Sequence, residues 1–470
     1  MITHDTICAI STPAGVGGIA VARISGPDAL SIVDRIWHGT PISTATSHTA
    51  HLGWIVDPES GERLDQGVAT VFRGPASFTG EDVVELGVHG SRWIQRELIS
   101  LLIRQGCRLA EAGEFTRRAF SSGRMDLAEA EGVADVIAAS SRAAHRIAVT
   151  QMRGEFSRKL RQLHDTLLDL ASLLELELDF SEEDVEFASR EKLRQLAAEI
   201  DTEVNRLAES FAAGRAIKDG VPVAIVGATN AGKSTLLNRL LRDDKAIVSD
   251  IHGTTRDVVE DAVELGGTLF RFIDTAGLRD TTDTVEQMGI KRAINRMEGA
   301  SIVLLVIDPT ETTDTHSLSS AWQRIAPHIG SEQKLIVLIN KADTLSPERQ
   351  TEFGKLITSA ITLPPHTTIL PISAKTGQGT DRLEQHLTDL AGLNSTTADS
   401  IMVTNHRHYQ ALVSAAQSIA RVREGLDTDL PGDLIAQDIR ETLHHLGTIT
   451  GTITTADILT TIFSRFCIGK

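Results

Sequence analysis

The stretch VAIVGATNAGKSTLLNRL occupies residues 223–240 and reads as a buried strand, a loop of small residues and the start of a helix. Its loop, Gly227-Ala-Thr-Asn-Ala-Gly232-Lys233-Ser234, has the G-x-x-x-x-G-K-[ST] spacing that lets backbone N–H groups close around phosphate oxygens at a helix N-terminus. Asn230, Ala231 and Gly232 supply the small loop, and Thr235 continues the helix start. Lys233 is expected to reach the β and γ oxygens, and Ser234 to ligate Mg²⁺. A strand leading into such a loop and helix commits the surrounding chain to alternating strands and helices.

Three companions follow in order, each at the end of an apolar run. Asp274-Thr275-Ala276-Gly277 follows LFRFI; Asp274 suits holding Mg²⁺ through water, and the Gly277 N–H suits sensing a γ-phosphate. Asn340-Lys341-Ala342-Asp343 follows KLIVLI. The Asp343 carboxylate accepts from N1–H and the exocyclic amine of guanine, and adenine presents neither donor there. Ser373-Ala374-Lys375 follows ILPI and suits a contact to the guanine O6. Together the four elements point to GTP rather than ATP.

Between the first two elements lies SDIHGTTRD, residues 249–257, with Ser249, Asp250, Ile251, His252, Gly253, Thr254 and Thr255 expected near the nucleotide. Thr255 is the natural second hydroxyl ligand for Mg²⁺. The residue after Gly277 is Leu278, where Ras-like enzymes place a water-orienting glutamine, so hydrolysis must be organised differently. Asp280, Asp283 and Glu286 lie close by; from chemistry alone Glu286 could orient a water or face solvent.

The wider chain divides into four regions: a mixed α and β region over residues 1–122, helical segments over 123–218 and 390–470, and an α/β region over 219–389. In the first, TICAIS and GIAVARIS read as strands and RWIQRELISLLIRQG as a helix. In the second, Leu160, Leu163, Leu167, Leu170 and Leu174 make one apolar stripe on a long helix, and Ser181 is expected to cap the next one. The runs VPVAIVG, LFRFIDT, SIVLLVID, KLIVLIN and TTILPIS predict a doubly wound parallel sheet. QALVSAAQSIARVREGL then returns to helical periodicity, so one helical domain interrupted by an inserted α/β domain is the economical expectation.

At 470 residues the chain is too long for a single core. Its net charge of −17 argues against bulk-charge binding of nucleic acid. Cys8, Cys107 and Cys467 are far apart and form no CxxC pair, so neither a disulfide framework nor a zinc site is expected, and a reducing cytoplasm is the default. No apolar run is long enough to span a bilayer, and the first residues show no secretion signal. GVGGIA, residues 15–20, mimics a dinucleotide fingerprint but runs into VARIS, a strand pattern where a helix is required.

GATNAGKSTLLN, IHGTTRD, DTAGLR, VEQMGIKRA and the terminal FCIGK together closely resemble the MnmE (TrmE) family of tRNA modification GTPases. The resemblance extends through ISTPAGVGGIAVARISG, FTGEDVVELGVHG and GEFTRRAFSSGRMDLAEAEGVADVI and so covers essentially the whole chain. It implies a multidomain α/β protein: an N-terminal α+β domain that binds a formyl- or methylene-tetrahydrofolate and forms a homodimer, a discontinuous all-α domain, and an inserted Ras-like P-loop GTPase domain. It further implies work with a flavoprotein, MnmG (GidA), on carbon 5 of a tRNA wobble uridine, and a potassium-dependent GTPase activated when two such domains meet.

By position, the resemblance makes Asn230, Ser249, Ile251 (through its carbonyl) and Thr254 potassium ligands, Ser234 and Thr255 Mg²⁺ ligands, and Glu286 the water-orienting residue. It assigns Arg23, Glu85, Arg124 and Lys470 to the folate. Position 124 carries Arg where many members have Lys, position 249 Ser where Thr is common, and position 229 Thr where Pro is common. Cys467 becomes a catalytic thiol or a packed helix-end thiol. A ribosome-assembly GTPase is the competing class, against which the chain offers no basic RNA-binding signature at its C-terminus.

Overall fold

The computed structural model describes residues 5–179, 190–228, 230–242, 261–274, 297–312, 314–331, 333–391, 401–428, 430–464, 466 and 469. It divides into two compact units. One comprises Met1–Ala134, Thr150–Ile200 and Ser414–Lys470; the other comprises Asp135–Val149 and Asp201–Val413.

The first unit is built on seven strands: β1 (Ile7–Ile10), β2 (Gly17–Ser25), β3 (Trp37–His38), β4 (Thr49–Val56), β5 (Arg63–Phe72), β6 (Val83–Gly90) and β7 (Arg108–Leu109). Their order is β3-β4-β5-β6-β2-β1-β7, antiparallel throughout except for β1 and β7. Side chains of a strand alternate between faces. Ala20, Ala22 and Ile24 of β2 and Val84, Leu86 and Val88 of β6 therefore share a core with the helices Ala29–Ile36 and Arg92–Arg104. The intervening Arg23 and Glu85, direct cross-strand partners, fall on the opposite face. GVGGIAVARIS does become strand, since β2 begins at Gly17.

Cys8 and Cys107 are remote in sequence, yet the parallel pairing of β1 with β7 makes them neighbours in this core, both as free thiols. The Cys8 thiol contact and burial together push the Cys107 thiol far above its ordinary range.

The leucine stripe lies on the helix Glu155–Asp179, with Leu160, Leu163, Leu167, Leu170 and Leu174 all buried. This helix packs against Gly432–Thr450, so helices from either side of the α/β region share one core. Burying each leucine contributes about 2 kcal/mol. Ser181 lies outside the described residues. The last helix, Ala456–Phe463, packs on Glu114–Ser121, where Gly113 has φ +65° and lies close to the Phe463 carbonyl.

The second unit holds a six-stranded sheet: β8 (Val221–Gly227), β9 (Asp261–Leu265), β10 (Thr268–Asp274), β11 (Ile302–Ile307), β12 (Lys334–Ile339) and β13 (Thr368–Pro371). The order is β13-β12-β11-β8-β10-β9, parallel except for the edge pair β9–β10. All five strand runs expected from sequence are present; β9 is an addition. Val223 and Ile225 pack with the helices Lys233–Arg242 and Thr380–Leu390. Ala224 and Val226 pack on the other face with Thr315–Ile325 and Pro347–Ala360. Helices on both faces explain why these strands read as unbroken apolar runs.

The segments entering and leaving this sheet lie together. The Phe211 ring stacks on Tyr409 at 4.4 Å, and the Val403 amide donates to Ser210 Oγ at 3.0 Å. No described helix is long and apolar enough to cross a membrane.

Candidate functional site

Every sequence motif assigned to the nucleotide sits at the carboxyl edge of the second sheet wherever it is described. The register aligns Val306 with Gly227, Ile307 with Ile339, and Ile339 with Pro371. The strands therefore end together and their following loops converge, which is where open parallel sheets bind ligands.

Gly227 closes β8 with φ +149°, and a Cβ there would run into the Val306 carbonyl. Gly232 has φ +94°, and its Cβ would strike the Asn340 side chain. Both positions favour glycine through their positive φ, and at Gly227 backbone also passes too close for any side chain. Asn230 adopts φ +65° and is exposed. Lys233 opens the helix Lys233–Arg242, and its ammonium donates to the carbonyls of Gly227 at 2.8 Å and Ala228 at 2.7 Å. Ser234 and Thr235 are exposed in the first helical turn, whose free N–H groups and dipole favour an anion.

Asn340 is 3% exposed and joins three segments. Its Nδ2 donates to the Ala231 carbonyl at 2.7 Å, and its Oδ1 accepts from the Ala374 amide at 3.0 Å. The phosphate loop, the Asn340–Asp343 turn and the Ser373–Lys375 loop are thus fixed to one another through one amide. Asp343 lies exposed in a short turn over Ala342–Thr344, anchored by the Ala342 amide donating to the Ile372 carbonyl at 3.0 Å. Ser373 is buried; its Oγ accepts from the Thr376 amide at 3.1 Å, and Arg239 donates to the Lys375 carbonyl at 2.7 Å. A buried, fully paired frame holding an exposed carboxylate can recognise the donor edge of a base and reject one that lacks it.

Asp308 was not anticipated from sequence. It follows β11, is 1% exposed, and pairs with the Lys341 ammonium. An acidic residue directly after six apolar ones, at the same sheet edge as the motifs, was the available signal.

Several expected residues lie outside the described residues: Ser249, Asp250, Ile251, His252, Gly253, Thr254, Thr255, Thr275, Ala276, Gly277, Glu286, Cys467 and Lys470. For Asp274 the backbone ends β10, beside Ile225 of β8.

In the first unit, Arg23 and Glu85 are brought together. Arg23 Nη2 lies 2.8 Å from Glu85 Oε1, and its guanidinium stands over the rings of Phe78 at 5.3 Å and Phe115 at 5.7 Å. The two side chains therefore form a cross-strand ion pair rather than two independent contacts. Arg124 is exposed, and its Cγ lies near Gly80. At the end of β1, Ser11 Oγ donates to the Gly469 carbonyl at 3.0 Å.

A family model described as the MnmE helical domain matches residues 127–467, and one described as the GTP-binding protein TrmE N-terminus matches residues 6–124. The protein called tRNA modification GTPase MnmE in Parabacteroides distasonis is 49% identical over 471 residues, covering 99% of this chain and 100% of that one. Its namesake in Bacteroides thetaiotaomicron is 48% identical over 474 residues, covering 100% of both. With both family models matched and full-length relatives at this identity, the chain belongs to the MnmE (TrmE) family of tRNA modification GTPases.

Proposed function

We propose that the chain couples GTP hydrolysis to building an aminomethyl-type group, such as carboxymethylaminomethyl, on carbon 5 of the wobble uridine (position 34) of certain tRNAs. As a member of its family it is a GTPase of tRNA modification. The observation that carries the reading is the Asn340 side chain, which ties the phosphate loop to both guanine-side loops.

In this reading Asp343 takes the donor edge of guanine, Ser373, Ala374 and Lys375 close over O6, and Lys233 meets the β and γ oxygens. Ser234 and Asn230 are exposed at the loop and so are accessible to cations. Ser234 with Thr255 would hold Mg²⁺, and Asn230 with Ser249, Ile251 and Thr254 would hold K⁺. Bound there, the two cations neutralise charge on the transferring phosphoryl group. Glu286 orients the attacking water.

The folate reading is supported by the Arg23–Glu85 pair over two aromatic rings, which offers a donor and an acceptor side by side. Such a pair suits the donor- and acceptor-bearing amino-substituted ring of a 5-formyl- or 5,10-methylene-tetrahydrofolate; Arg124 and Lys470 complete the set. Cys467 serves as a thiol acting on the uracil. The domains are residues 1–122 for folate and dimerisation, 123–218 and 390–470 for the helical domain, and 219–389 for the GTPase. The protein works in the cytoplasm as a homodimer with the flavoprotein MnmG (GidA).

The test is nucleotide hydrolysis by the full chain in K⁺ and in Na⁺. GTP should be hydrolysed, ATP should not, and K⁺ should accelerate turnover. Equal rates in the two salts would remove the potassium site. Equal use of ATP would remove the guanine assignment.

A further inference from the structure

A helix leaves its first N–H groups without intrahelical partners. In the helix Arg142–Met152 these groups have three different acceptors. The Ala144 amide donates to Ser141 Oγ at 3.2 Å, a local cap. The Arg142 amide donates to Glu264 Oε1 at 3.4 Å, and the Ala143 amide to the Gly267 carbonyl at 3.2 Å. Both of these acceptors belong to the β9–β10 hairpin. Its turn residues, Gly266 and Gly267, have φ +57° and +85°, as a two-residue I′ turn demands. An edge hairpin of the α/β sheet thus closes the N-terminus of a helix outside that sheet, with the Glu264 carboxylate at the positive end of the helix dipole.

The surroundings of this cap are loosely packed. Residues 135–149 fall in the same compact unit as the sheet. A cavity of about 140 Å³ is lined by Ala138, Ala144, Ile147 and Ala148 from this stretch, and by Ile217 and Thr404, which flank the sheet in sequence. Thr404 is buried, and its Oγ1 has no partner among the described residues. Beside it Lys218 Nζ lies 2.7 Å from Asp135 Oδ1, both side chains partly exposed. Interiors are normally close-packed with their polar groups paired. A seat with a void and an orphan hydroxyl, held by polar contacts, gives up little packing when it opens.

The hairpin also joins the two stretches expected at the γ-phosphate. β9 starts four residues after SDIHGTTRD, and β10 ends at Asp274 of DTAG. Asp261 pairs with Phe272, towards the nucleotide edge, so the Gly266-Gly267 turn lies at the opposite edge of the sheet. We propose that the hairpin is a nucleotide-sensitive latch: without a γ-phosphate Glu264 and Gly267 cap the helix Arg142–Met152, and with one they leave it. Drawing Thr255 towards a γ-phosphate pulls β9 along its own axis, away from the helix that it caps. The latch rests on the GTP site of the proposed reading and extends it. Because the cap opposes the GTP-bound arrangement, removing it favours GTP by the same factor.

The test is hydrogen–deuterium exchange of the full chain, read by mass spectrometry, with GDP and with a non-hydrolysable GTP analogue. First-turn amides exchange freely unless capped, so those of Arg142 and Ala143 should exchange about tenfold faster with the analogue than with GDP. Equal exchange in the two states would overturn the proposal. Slowed exchange over Asn340–Asp343 with either nucleotide marks an occupied site, so a failed latch and a failed nucleotide site are told apart. Glu264→Ala should exchange fast in both states and bind the analogue, relative to GDP, about threefold more tightly than the wild type does. An unchanged ratio of affinities would also overturn the proposal. If Glu264→Ala does not fold, Arg142→Pro takes its place, since it removes the same N–H at the first helical position, where proline is tolerated. The same shift is expected, and an unchanged ratio decides against the latch. His145→Ala, exposed on the same helix, should leave the ratio at the wild-type value. A shift there equal to that of Glu264→Ala would assign the effect to the helix surface and overturn the proposal.

Discussion

The side-chain amide of Asn340 donates to the carbonyl of Ala231, 109 positions earlier in the chain, at 2.7 Å and in a buried setting. A single residue after β12 thereby sets the position of the phosphate loop after β8. Asn340→Ala removes this bond and the one from the Ala374 amide, leaving two buried polar groups without their partner. Each such loss costs about 1–3 kcal/mol. Guanine-nucleotide affinity should fall by at least about tenfold, with circular dichroism unchanged. Unaltered affinity in a calorimetric titration would show that the three loops are held by other means.

Glu114 is 1% exposed and meets Arg108 at 2.5 Å and Arg118 at 3.1 Å. Burial raises its carboxyl, but Arg108, the Glu111 amide and Arg118 overcome this and hold it below the ordinary 4.5. A folded value below the unfolded one contributes stability above about pH 4.5, and that stability is lost as pH falls through the folded value. Glu114→Gln should therefore cost about 3 kcal/mol at pH 7, with the gap from wild type shrinking in acid. Trp37, Trp54 and Trp93 all lie in the first 124 residues and report unfolding of this sheet by fluorescence. A gap that is constant or grows as pH falls would refute the assignment.

Leu167 and Leu170 are both fully buried on the helix Glu155–Asp179, which packs on Gly432–Thr450. Replacing either by alanine leaves a cavity, and a loss of about 3 kcal/mol is expected in urea unfolding. Substitution of the exposed Leu168 should cost well under 1 kcal/mol. Equal effects at positions 167 and 168 would contradict the stripe.

Gly469 has φ +95°, and a Cβ there would press on the Ile10 carbonyl. With Ser11 Oγ donating to the Gly469 carbonyl, Gly469 is seated on the end of β1. Gly469→Val should unseat it and weaken 5-formyl-tetrahydrofolate binding about tenfold in calorimetry, as should truncation before Cys467. Full affinity in both variants would separate the C-terminus from the folate site.

The nucleotide edge was legible because each motif closes an apolar run, and runs buried on both faces announce themselves. Strand β9 was missed because Asp-Ala-Val-Glu-Leu is a short edge strand in which Val263 and Leu265 are buried but Ala262 and Glu264 are half-buried. Asp308 was missed because its importance comes from Lys341, and nothing local ties the two. The pairing of Arg23 with Glu85, and of Cys8 with Cys107, follows from strand register, a long-range property that composition and spacing do not encode. The leucine stripe was legible in its helical period, whereas its partner helix, Gly432–Thr450, is more than 250 residues away in sequence, beyond the α/β region.

The most direct measurement is mass spectrometry of wobble-uridine nucleosides in tRNA from a bacterial strain lacking its own family member, complemented with this chain or with Lys233→Ala. The wild-type chain should restore the modified nucleoside, and Lys233→Ala, deprived of its phosphate contact, should not. No restoration by the wild type would contradict the tRNA assignment, and full restoration by Lys233→Ala would contradict the coupling of modification to GTP.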